Sequence, residues 1–241
     1  MKRADGRQHD QLREVQFETD YIIYPEGSVL VSMGNTKVLC NVSVEDGVPR
    51  WMADQERPRG WITGEYAMLP RSTHSRTNRE TLRPRGRTQE IKRLIGRALR
   101  AAVDLEKLGA RTCTVDCDVL QADGGTRTAS VTGGYVALAL AINKLSAQGL
   151  VPADIFKAPV AAISVGILDN TPLLDLCYEE DVAAEVDANF VMNAKGELIE
   201  VQGTAEGEPF AKEQLLAMLE LAHRGIERLV EKQTQVLGDS I

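Results

Sequence analysis

The chain has 241 residues, of which 43% are hydrophobic and 26% are charged, proportions typical of globular proteins. The sequence has no apolar run of the roughly 18 residues that a membrane span needs, and its start, MKRADGRQHDQLREVQ, lacks the apolar stretch of a secretory signal. These features argue against membrane and secreted proteins, so we expect a cytoplasmic protein with no membrane partner.

Charge is unevenly distributed along the chain. The net charge of −7 by itself argues against a nucleic-acid partner. Residues 57–100, however, contain 12 Lys or Arg and three acidic residues, a local charge of +9, whereas the rest of the chain carries −16. Eleven of the 12 basic residues are Arg, which favours bidentate contact with phosphate groups. This basic block predicts a phosphate-rich ligand, the alternative being a solvated, arginine-rich loop and helix.

The first elements in chain order are predicted strands. The stretches VLVSM and TKVLC flank Gly34 and Asn35, a two-residue turn typical of a β-hairpin. A further strand is expected near residues 65–69, followed by a basic loop that continues to about residue 85. A loop of this length inside a domain is usually either functional or disordered.

A helix with one apolar face is predicted next. Its start is expected near Thr88 as the capping residue, with Glu90 in the first turn, and its end near Gly109. The apolar face follows helical spacing through Ile91, Leu94, Ile95, Ala98, Leu99, Ala102 and Val103.

A strand over residues 111–120 and a second helix ending near Leu145 complete the first half. Small residues, among them Gly133 and Gly134, make this helix thin and suited to close packing. The cysteines show neither a C-x-x-C pair nor a cluster with histidine, so we expect reduced, buried thiols at Cys40, Cys113, Cys117 and Cys177.

The second half of the chain repeats the order of strands followed by helices. Its predicted strands are PVAAISVGIL, TPLLDLCY, DVAAEVDANFVMN and ELIEVQG, and a long helix follows over about residues 211–232. We therefore expect an α+β protein, in which a single domain over residues 1–241 contains two similar halves at 10–150 and 158–241.

The step from strand to helix at QADGGTRTASVTGG has the composition of an anion site. Gly124 and Gly125 permit positive φ angles and a close approach of the backbone, the helix start offers free amides, and Arg127 adds a forked cation. A purely structural glycine turn is the alternative. Arg87 precedes another helix start, so two helix N-termini are expected to hold one phosphate. The nucleotide-binding pattern G-x-x-x-x-G-K-[ST] does not occur.

Asp181 and Asp187 form a candidate metal site. Their even separation places both carboxylates on one face of a single strand, with a bend near Asp181 needed to bring them together. Paired carboxylates opposite a phosphate are typical of Mg²⁺ sites. Solvated strand acids are the alternative, and the neighbouring acids Glu179, Glu180 and Glu185 compete for the role.

Histidine chemistry has little support in the sequence. His9, His74 and His223 lie in an N-terminal segment, the basic loop and a late helix, and no pattern of a Ser/His/Asp triad accompanies them. Among the arginines of the basic loop, His74 is expected to contact RNA rather than to act as a base.

Several of these stretches together closely resemble the ribonuclease PH family of phosphate-dependent exoribonucleases. The resemblance covers nearly the whole chain and rests on EGSVLVSMGNTKVLC, WITGEYAMLPRSTHSR, GRTQEIKRLIGRALRAAVDL, DCDVLQADGGTRTASVTGG and EVQGTAEGEPF. It implies the ribonuclease PH fold of two βαβα-type halves, with mixed sheets packed against helices, and a homohexamer built as a trimer of dimers.

The resemblance also implies an activity and its residues. Inorganic phosphate would attack the last phosphodiester of transfer-RNA precursors and other RNA 3′ ends, releasing a nucleoside diphosphate, and the reverse nucleotide addition would also occur. The implied roles are phosphate binding by Arg87, Gly125, Thr126 and Arg127, Mg²⁺ binding and catalysis by Asp181 and Asp187, and RNA binding by Arg71, Arg76 and Arg79. The family commonly has a small polar residue where this chain has Val182, which changes local hydrogen bonding but leaves the flanking acids in place.

Two alternatives differ in substrate or in catalysis. An exosome-type or polynucleotide-phosphorylase-type core would act on messenger RNA, but the sequence has no S1-like or KH-like stretch. A non-catalytic RNA-binding subunit of an exosome-like ring is expected to lack the phosphate arginines or the acids. Because this chain keeps all four, we favour the enzyme.

Overall fold

The structure is a computed structural model that describes residues 3, 5–53, 59–80 and 86–238. Three arginines of the basic block, Arg57, Arg83 and Arg85, and the last part of the predicted basic loop lie outside these residues. Within the described residues, no helix is both long enough and apolar enough to cross a membrane.

The first sheet has five strands, namely β1 (Val15–Thr19), β2 (Gly27–Met33), β3 (Thr36–Asp46), β4 (Trp61–Met68) and β5 (Arg111–Gln121). They lie in the order β1-β2-β3-β5-β4, with β4 parallel to β5 and the other pairs antiparallel. Gly34, with a φ of 56°, and Asn35 join β2 to β3, which confirms the predicted hairpin.

The second sheet has four antiparallel strands in the order β7-β6-β8-β9. Its strands are β6 (Val160–Leu168), β7 (Thr171–Leu174), β8 (Val186–Asn193) and β9 (Leu198–Ala205). Every residue of β6 is buried, because this central strand is covered on both faces.

The described residues form six α-helices, namely α1 (Arg50–Ala53), α2 (Gly86–Ala102), α3 (Leu105–Leu108), α4 (Thr126–Ala147), α5 (Tyr178–Ala183) and α6 (Lys212–Leu237). Helix α4 contacts β2 and β3 of the first sheet as well as β6 of the second. Helix α2 packs on β4, and α6 packs on β6 and β7. The two sheets therefore share one hydrophobic core with α4 at its centre, and the predicted α+β class with sheets packed against helices is confirmed.

The sequence pattern of α4 explains its central place. Nearly all of its side chains are buried, so it has no polar face to turn toward solvent. Its small residues allow both sheets to approach the helix axis closely. The four cysteines are free and buried, as expected. The boundaries predicted for the two halves stay a prediction.

Three details of the predicted elements are wrong. Helix α2 begins at Gly86, so Thr88 lies inside the helix rather than at its cap, and Glu90 lies beyond the first turn. The helix ends at Ala102, and Gly109 instead caps the separate helix α3. Residues 181–193 do not form one strand, because α5 ends at Ala183 and β8 begins at Val186.

The two adjacent glycines of α4 test how closely the helix packs. A β-carbon on Gly133 would lie 2.4 Å from Val31 Cγ1, whereas one on Gly134 would lie 3.4 Å from Val115 Cγ1. We expect Gly133→Ala to lower the free energy of unfolding by about 1–3 kcal/mol through overpacking. Gly134→Ala is expected to change it by less than about 1 kcal/mol, since the better helix propensity of alanine offsets a tight contact. Urea unfolding of both variants measures the difference, and equal stabilities would contradict the packing argument.

Candidate active site

The turn between β5 and α4 has the backbone that the sequence predicted for an anion site. Gly124 and Gly125 have φ angles of 73° and 64°, which side-chain-bearing residues rarely adopt. Gly125 occupies the N-cap position of α4 and offers no side chain to the first amides of the helix. The positive end of the α4 dipole and these amides therefore remain for a ligand.

Gly124 also allows the turn to meet the chain that follows β7. A β-carbon at this position would lie 2.5 Å from the carbonyl oxygen of Leu176. Next to this contact, the Tyr178 amide donates a hydrogen bond of 3.1 Å to Asp123 Oδ1. The start of α5 is thereby held against the start of α4.

A cleft of about 380 Å³ opens where these elements meet. Of the residues predicted to bind phosphate, Arg87, Gly125 and Thr126 line it, and Asp181 lines it as well. The remaining lining residues are Met68, Thr73, His74, Ser75, Ala122, Gly124 and Tyr178. Residues far apart in the sequence thus share one cavity.

Asp181 and Asp187 lie on different elements, and the predicted single strand is wrong. Asp181 is on α5 and Asp187 is near the start of β8, so the bend that the sequence required takes the form of a short helix. Burial raises the pKa of Asp181, and the charges of Arg87 and Arg127 oppose that rise. Burial and the neighbouring Asp181 raise the pKa of Asp187 to about 6. The charge of Asp181 is thus felt at Asp187, and that of Glu206 raises the pKa of both carboxylates further.

The paired carboxylates have the features of a Mg²⁺ site. Asp187 Oδ1 is buried and has no hydrogen-bond partner among the described residues. The same part of the chain contains no group of three or more His, Cys, Asp or Glu that could hold a metal ion. Two carboxylates suit a cation that completes its shell with water and substrate phosphates, which is how proteins commonly hold Mg²⁺.

Arg127 lies in the first turn of α4, as the sequence predicted, whereas Arg87 lies in the first turn of α2 rather than before that helix. The positive charges of Arg87 and Arg127 act on both carboxylates, because they partly offset the rise in the pKa of Asp181 and in that of Asp187. Arg127 does not line the cleft in this structure. Its Nη1 atom donates to Gln202 Oε1 at 2.9 Å and lies 3.4 Å from Glu90 Oε2.

The segment over residues 69–80 forms one wall of the cleft. The amide of Ala122 donates to the Ser72 carbonyl at 2.8 Å, which attaches the segment to the turn before α4. Arg71, Arg76 and Arg79 are exposed and do not line the cleft. Arg79 lies near the outer face of β5, where its charge lowers the otherwise raised pKa of Asp118.

Three residues of the site, Tyr66, Tyr178 and Gln202, were not singled out from the sequence. The hydroxyl groups of Tyr66 and Thr126 share a hydrogen bond of 2.9 Å, and the rings of Tyr178 and His74 are 5.9 Å apart. Gln202 donates to Glu90 Oε1 at 2.8 Å and so completes the support of Arg127. Gln202 lies in the family-like stretch EVQGTAEGEPF, which was the available signal. Tyr66 likewise lies in the family-like stretch WITGEYAMLPRSTHSR, whereas Tyr178 lies in none of these stretches.

Comparison with known proteins gives a consistent result. The profile described as 3′ exoribonuclease family, domain 1, matches residues 11–142, and the profile of domain 2 matches residues 158–225. A curated ribonuclease PH of Bacillus subtilis is 56% identical over 242 residues, covering 99% of this chain and 98% of its own length. A curated ribonuclease PH of Corynebacterium efficiens is 55% identical over 238 residues, covering 98% and 96% respectively.

Solved structures with more distant sequences have the same fold. Rrp46 of rice (Oryza sativa) superposes with a TM-score of 0.79 at 19% identity, covering 98% of this chain and all of its own. The Archaeoglobus fulgidus exosome with RNA bound to the active site superposes with a TM-score of 0.77 at 24% identity, covering 96% of this chain and 92% of its own. At these identities the likeness shows the fold.

The raised pKa of Asp187 gives a pH-dependent prediction for the metal-free protein. The pKa of Asp187 is about 6 in the folded state against an ordinary 3.8. The fold therefore loses stability as the pH rises from about 4 to about 6, and the loss is complete above that range. We expect Asp187→Asn to raise the free energy of unfolding by about 1–2 kcal/mol at pH 7.5 in EDTA, after allowance for solvent screening. Below pH 4 the gain is expected to vanish.

Urea unfolding at both pH values measures this effect. Glu185→Gln, which changes an exposed acid two residues away, is the matched control and is expected to leave stability nearly unchanged. A gain for Asp187→Asn that persists undiminished below pH 4 would contradict the electrostatic explanation.

Proposed function

This chain belongs to the 3′ exoribonuclease family, and we propose that it is a phosphorolytic exoribonuclease of the ribonuclease PH type. It removes nucleotides from RNA 3′ ends with inorganic phosphate as co-substrate and releases nucleoside diphosphates. The observation that carries the proposal is a cleft lined by Arg87, by the start of α4 and by Asp181, with Arg127 and Asp187 near enough for their charges to act on this group. That arrangement suits a reaction that brings two anionic phosphate groups together.

The attacking phosphate is proposed to occupy the end of the cleft near α4. The amides after Gly125, the Thr126 hydroxyl and the guanidinium groups of Arg87 and Arg127 supply donors for its oxygens. Tyr66 holds the Thr126 hydroxyl, and Gln202 holds Arg127. Since phosphate is already a nucleophile, the chain needs no base to generate one, and catalysis consists of positioning and charge stabilisation.

The bond changes are balanced without another reactant. An oxygen of hydrogen phosphate forms a bond to the phosphorus of the terminal nucleotide, and the bond from that phosphorus to the 3′ oxygen of the preceding nucleotide breaks. The leaving oxygen takes the proton that hydrogen phosphate carried. The products are a nucleoside diphosphate and an RNA that is one residue shorter, and the reverse reaction adds a nucleotide from a diphosphate.

Asp181 and Asp187 are the residues that would hold Mg²⁺. When bound there, Mg²⁺ supplies positive charge against the scissile phosphate and the leaving oxygen. The two carboxylates would hold this charge beside the cleft that Asp181 lines. Arg87 and Arg127 act on the same carboxylates from the phosphate side, so cations on both sides offset the repulsion between the reacting groups.

RNA is proposed to follow the exposed arginines toward the cleft. Arg71, Arg76 and Arg79 contact backbone phosphates, largely without regard to sequence. At the cleft itself, the rings of His74 and Tyr178 offer a surface on which a terminal base can stack. This keeps His74 as an RNA-contacting residue, as expected from its place in the loop.

The substrate and assembly follow as further parts of the proposal. Transfer-RNA precursors are the proposed substrates, and the cytoplasm is the proposed location. A homohexamer built as a trimer of dimers is supported by apolar residues that a lone chain leaves in water, notably Ile23 and Tyr24 at 83% and 87% exposed. We further propose that the two halves act as one catalytic domain. Arg127 lies on α4, which follows the first sheet, whereas Asp187 lies on β8 of the second sheet.

The identity of the released nucleotide tests the activity. With a transfer RNA that carries a 3′ extension, Mg²⁺ and inorganic phosphate, the native chain is expected to release nucleoside diphosphates, and to release none when phosphate is omitted. Arg127→Ala is expected to lower the rate about 10²–10³-fold, because it removes one charged donor from the reacting phosphate. Arg224→Ala, which changes an exposed arginine on α6, is the matched control and is expected to keep full activity.

The other outcomes of this experiment have distinct meanings. Monophosphates released without phosphate would mean hydrolysis and would overturn the assignment of the anion site. Binding of RNA without any product would favour the alternative of a non-catalytic ring subunit.

The salt dependence of RNA binding tests the basic segment. Each phosphate contact releases counterions, so Arg71→Ala and Arg76→Ala are each expected to reduce the slope of log K against log [salt] by about 1. The loss of affinity should be similar for RNAs of different sequence. Titrations at several salt concentrations measure this, and unchanged slopes would show that these arginines do not contact phosphate.

A further inference from the structure

The N-terminal segment inserts a buried arginine beside the helix that carries Asp181. Arg3 is only 3% exposed, and its guanidinium donates through Nε and Nη2 to the two carboxylate oxygens of Glu180, at 2.7 Å each. The same guanidinium donates to the carbonyl oxygens of Leu174 at 2.8 Å and Asp175 at 3.0 Å. A buried charge with this many partners fixes its neighbours strongly, because each bond is charge-assisted and shielded from water.

Glu180 passes this constraint on to α5. Its carboxylate accepts a hydrogen bond from the Cys177 amide at 3.1 Å and so caps the helix. Helix α5 has six residues, too few to be stable without tertiary contacts. Since Asp181 follows Glu180 directly, the contact with Arg3 constrains the backbone from which the Asp181 carboxylate projects.

A second buried arginine holds the turn before α4. Arg13 donates through Nη2 and Nε to the carboxylate of Asp175, at 2.7 and 3.1 Å, and its Nη1 atom donates to the carbonyl oxygen of Asp123. Thr36 Oγ1 donates to the neighbouring carbonyl of Gly124 at 2.7 Å. In a trans peptide the amide points opposite to the carbonyl. Holding these two carbonyls on the Arg13 side therefore turns the following amides away from it.

The two arginines meet at Asp175, which is fully buried and has a φ of 56°. Arg13 binds its carboxylate while Arg3 binds its backbone carbonyl. Asp123 closes the connection on the other side, since it accepts from the Tyr178 amide. The turn before α4 and the start of α5 are thus joined by a continuous set of polar contacts, which is buried around Asp175 and reaches the surface at Asp123 and Tyr178.

We propose that Arg3 and Arg13 are positioning residues that fix the Asp181 carboxylate relative to the phosphate-binding turn. The inference rests on the proposed function, because it concerns the distance between the two anion-handling parts of that site. Neither arginine lines the cleft, so both act through Glu180, Asp175 and Asp123. Arg3 positions helix α5, which carries Asp181, and Arg13 positions the turn before α4.

The affinity for a metal ion, measured without RNA, shows whether Arg3 positions the carboxylates or only stabilises the fold. The dissociation constant of Mn²⁺, used as a probe for the Asp181 and Asp187 site, is measured by electron paramagnetic resonance of the unbound ion. We expect Arg3→Ala to raise it about 10–100-fold, the range typical of residues that orient metal ligands, and to lower kcat while KM for phosphate changes little. Arg3→Lys, which keeps the charge but loses the fork, is expected to fall between Arg3→Ala and the native chain.

A double substitution tests the path through Glu180. The effects of Glu180→Gln and Arg3→Ala on Mn²⁺ binding are expected to be less than additive in the double variant, because both substitutions remove the Arg3–Glu180 pair, although Glu180→Gln also removes an ion pair with Arg7 at 3.6 Å. Arg228→Ala is the control, since Arg228 donates to the Asp10 carbonyl at 2.9 Å and so ties the N-terminal segment to α6 without touching α5. It is expected to leave the Mn²⁺ dissociation constant unchanged.

The possible results are distinguishable. A lower melting temperature in Arg3→Ala and Arg3→Lys with unchanged Mn²⁺ binding would overturn the inference and leave Arg3 a structural residue. Two results would instead contradict the metal assignment of the proposed function, and this inference with it. The native chain would bind no Mn²⁺, or the Asp187→Asn variant would bind Mn²⁺ as tightly as the native chain does.

Discussion

Repulsion between negatively charged groups is the physical constraint that the other residues of this cleft offset. Two carboxylates stand close enough that burial and Asp181 together raise the pKa of Asp187 to about 6. The proposed ligands, phosphate and RNA, bring more negative charge to the same place. The fold answers with two helix N-termini that carry Arg87 and Arg127, and with one carboxylate oxygen left without a hydrogen-bond partner among the described residues. The buried carboxylates favour a cation, and the helix N-termini with their arginines favour an anion beside it.

Features that depend on local sequence could be predicted well. The hairpin at Gly34 and Asn35, strand β5 and the start of α4 after Gly125 all follow from turn residues and hydrophobic periodicity. The arginines at the two helix starts belong to the same class, because a helix N-terminus is marked by the residues around it. Assignment of their roles needed more, and it came from long stretches that resemble one family.

Features set by distant contacts could not be predicted. The apolar pattern of residues 181–193 continues through α5 into β8, so periodicity alone favoured a single strand. Helix α5 exists because Asp123 and Glu180 supply acceptors for its first amides, and Glu180 in turn is held by Arg3. Arg3 and Glu180 are 177 positions apart, and nothing in the sequence near either residue marks the pair. The same holds for Gln202, whose contact with Arg127 joins β9 to α4.

The central place of α4 has a consequence for the order in which the protein matures during synthesis. The helix begins at the anion-binding turn, yet one of its sides is covered by β6, which the ribosome makes later. Until residues 160–168 have left the exit tunnel, this apolar side has no protein surface to bury against. The carboxylates arrive later still, on α5 and β8. A nascent chain therefore acquires the two charged parts of its cleft at separate times, and the competent site closes only after most of the polypeptide has emerged.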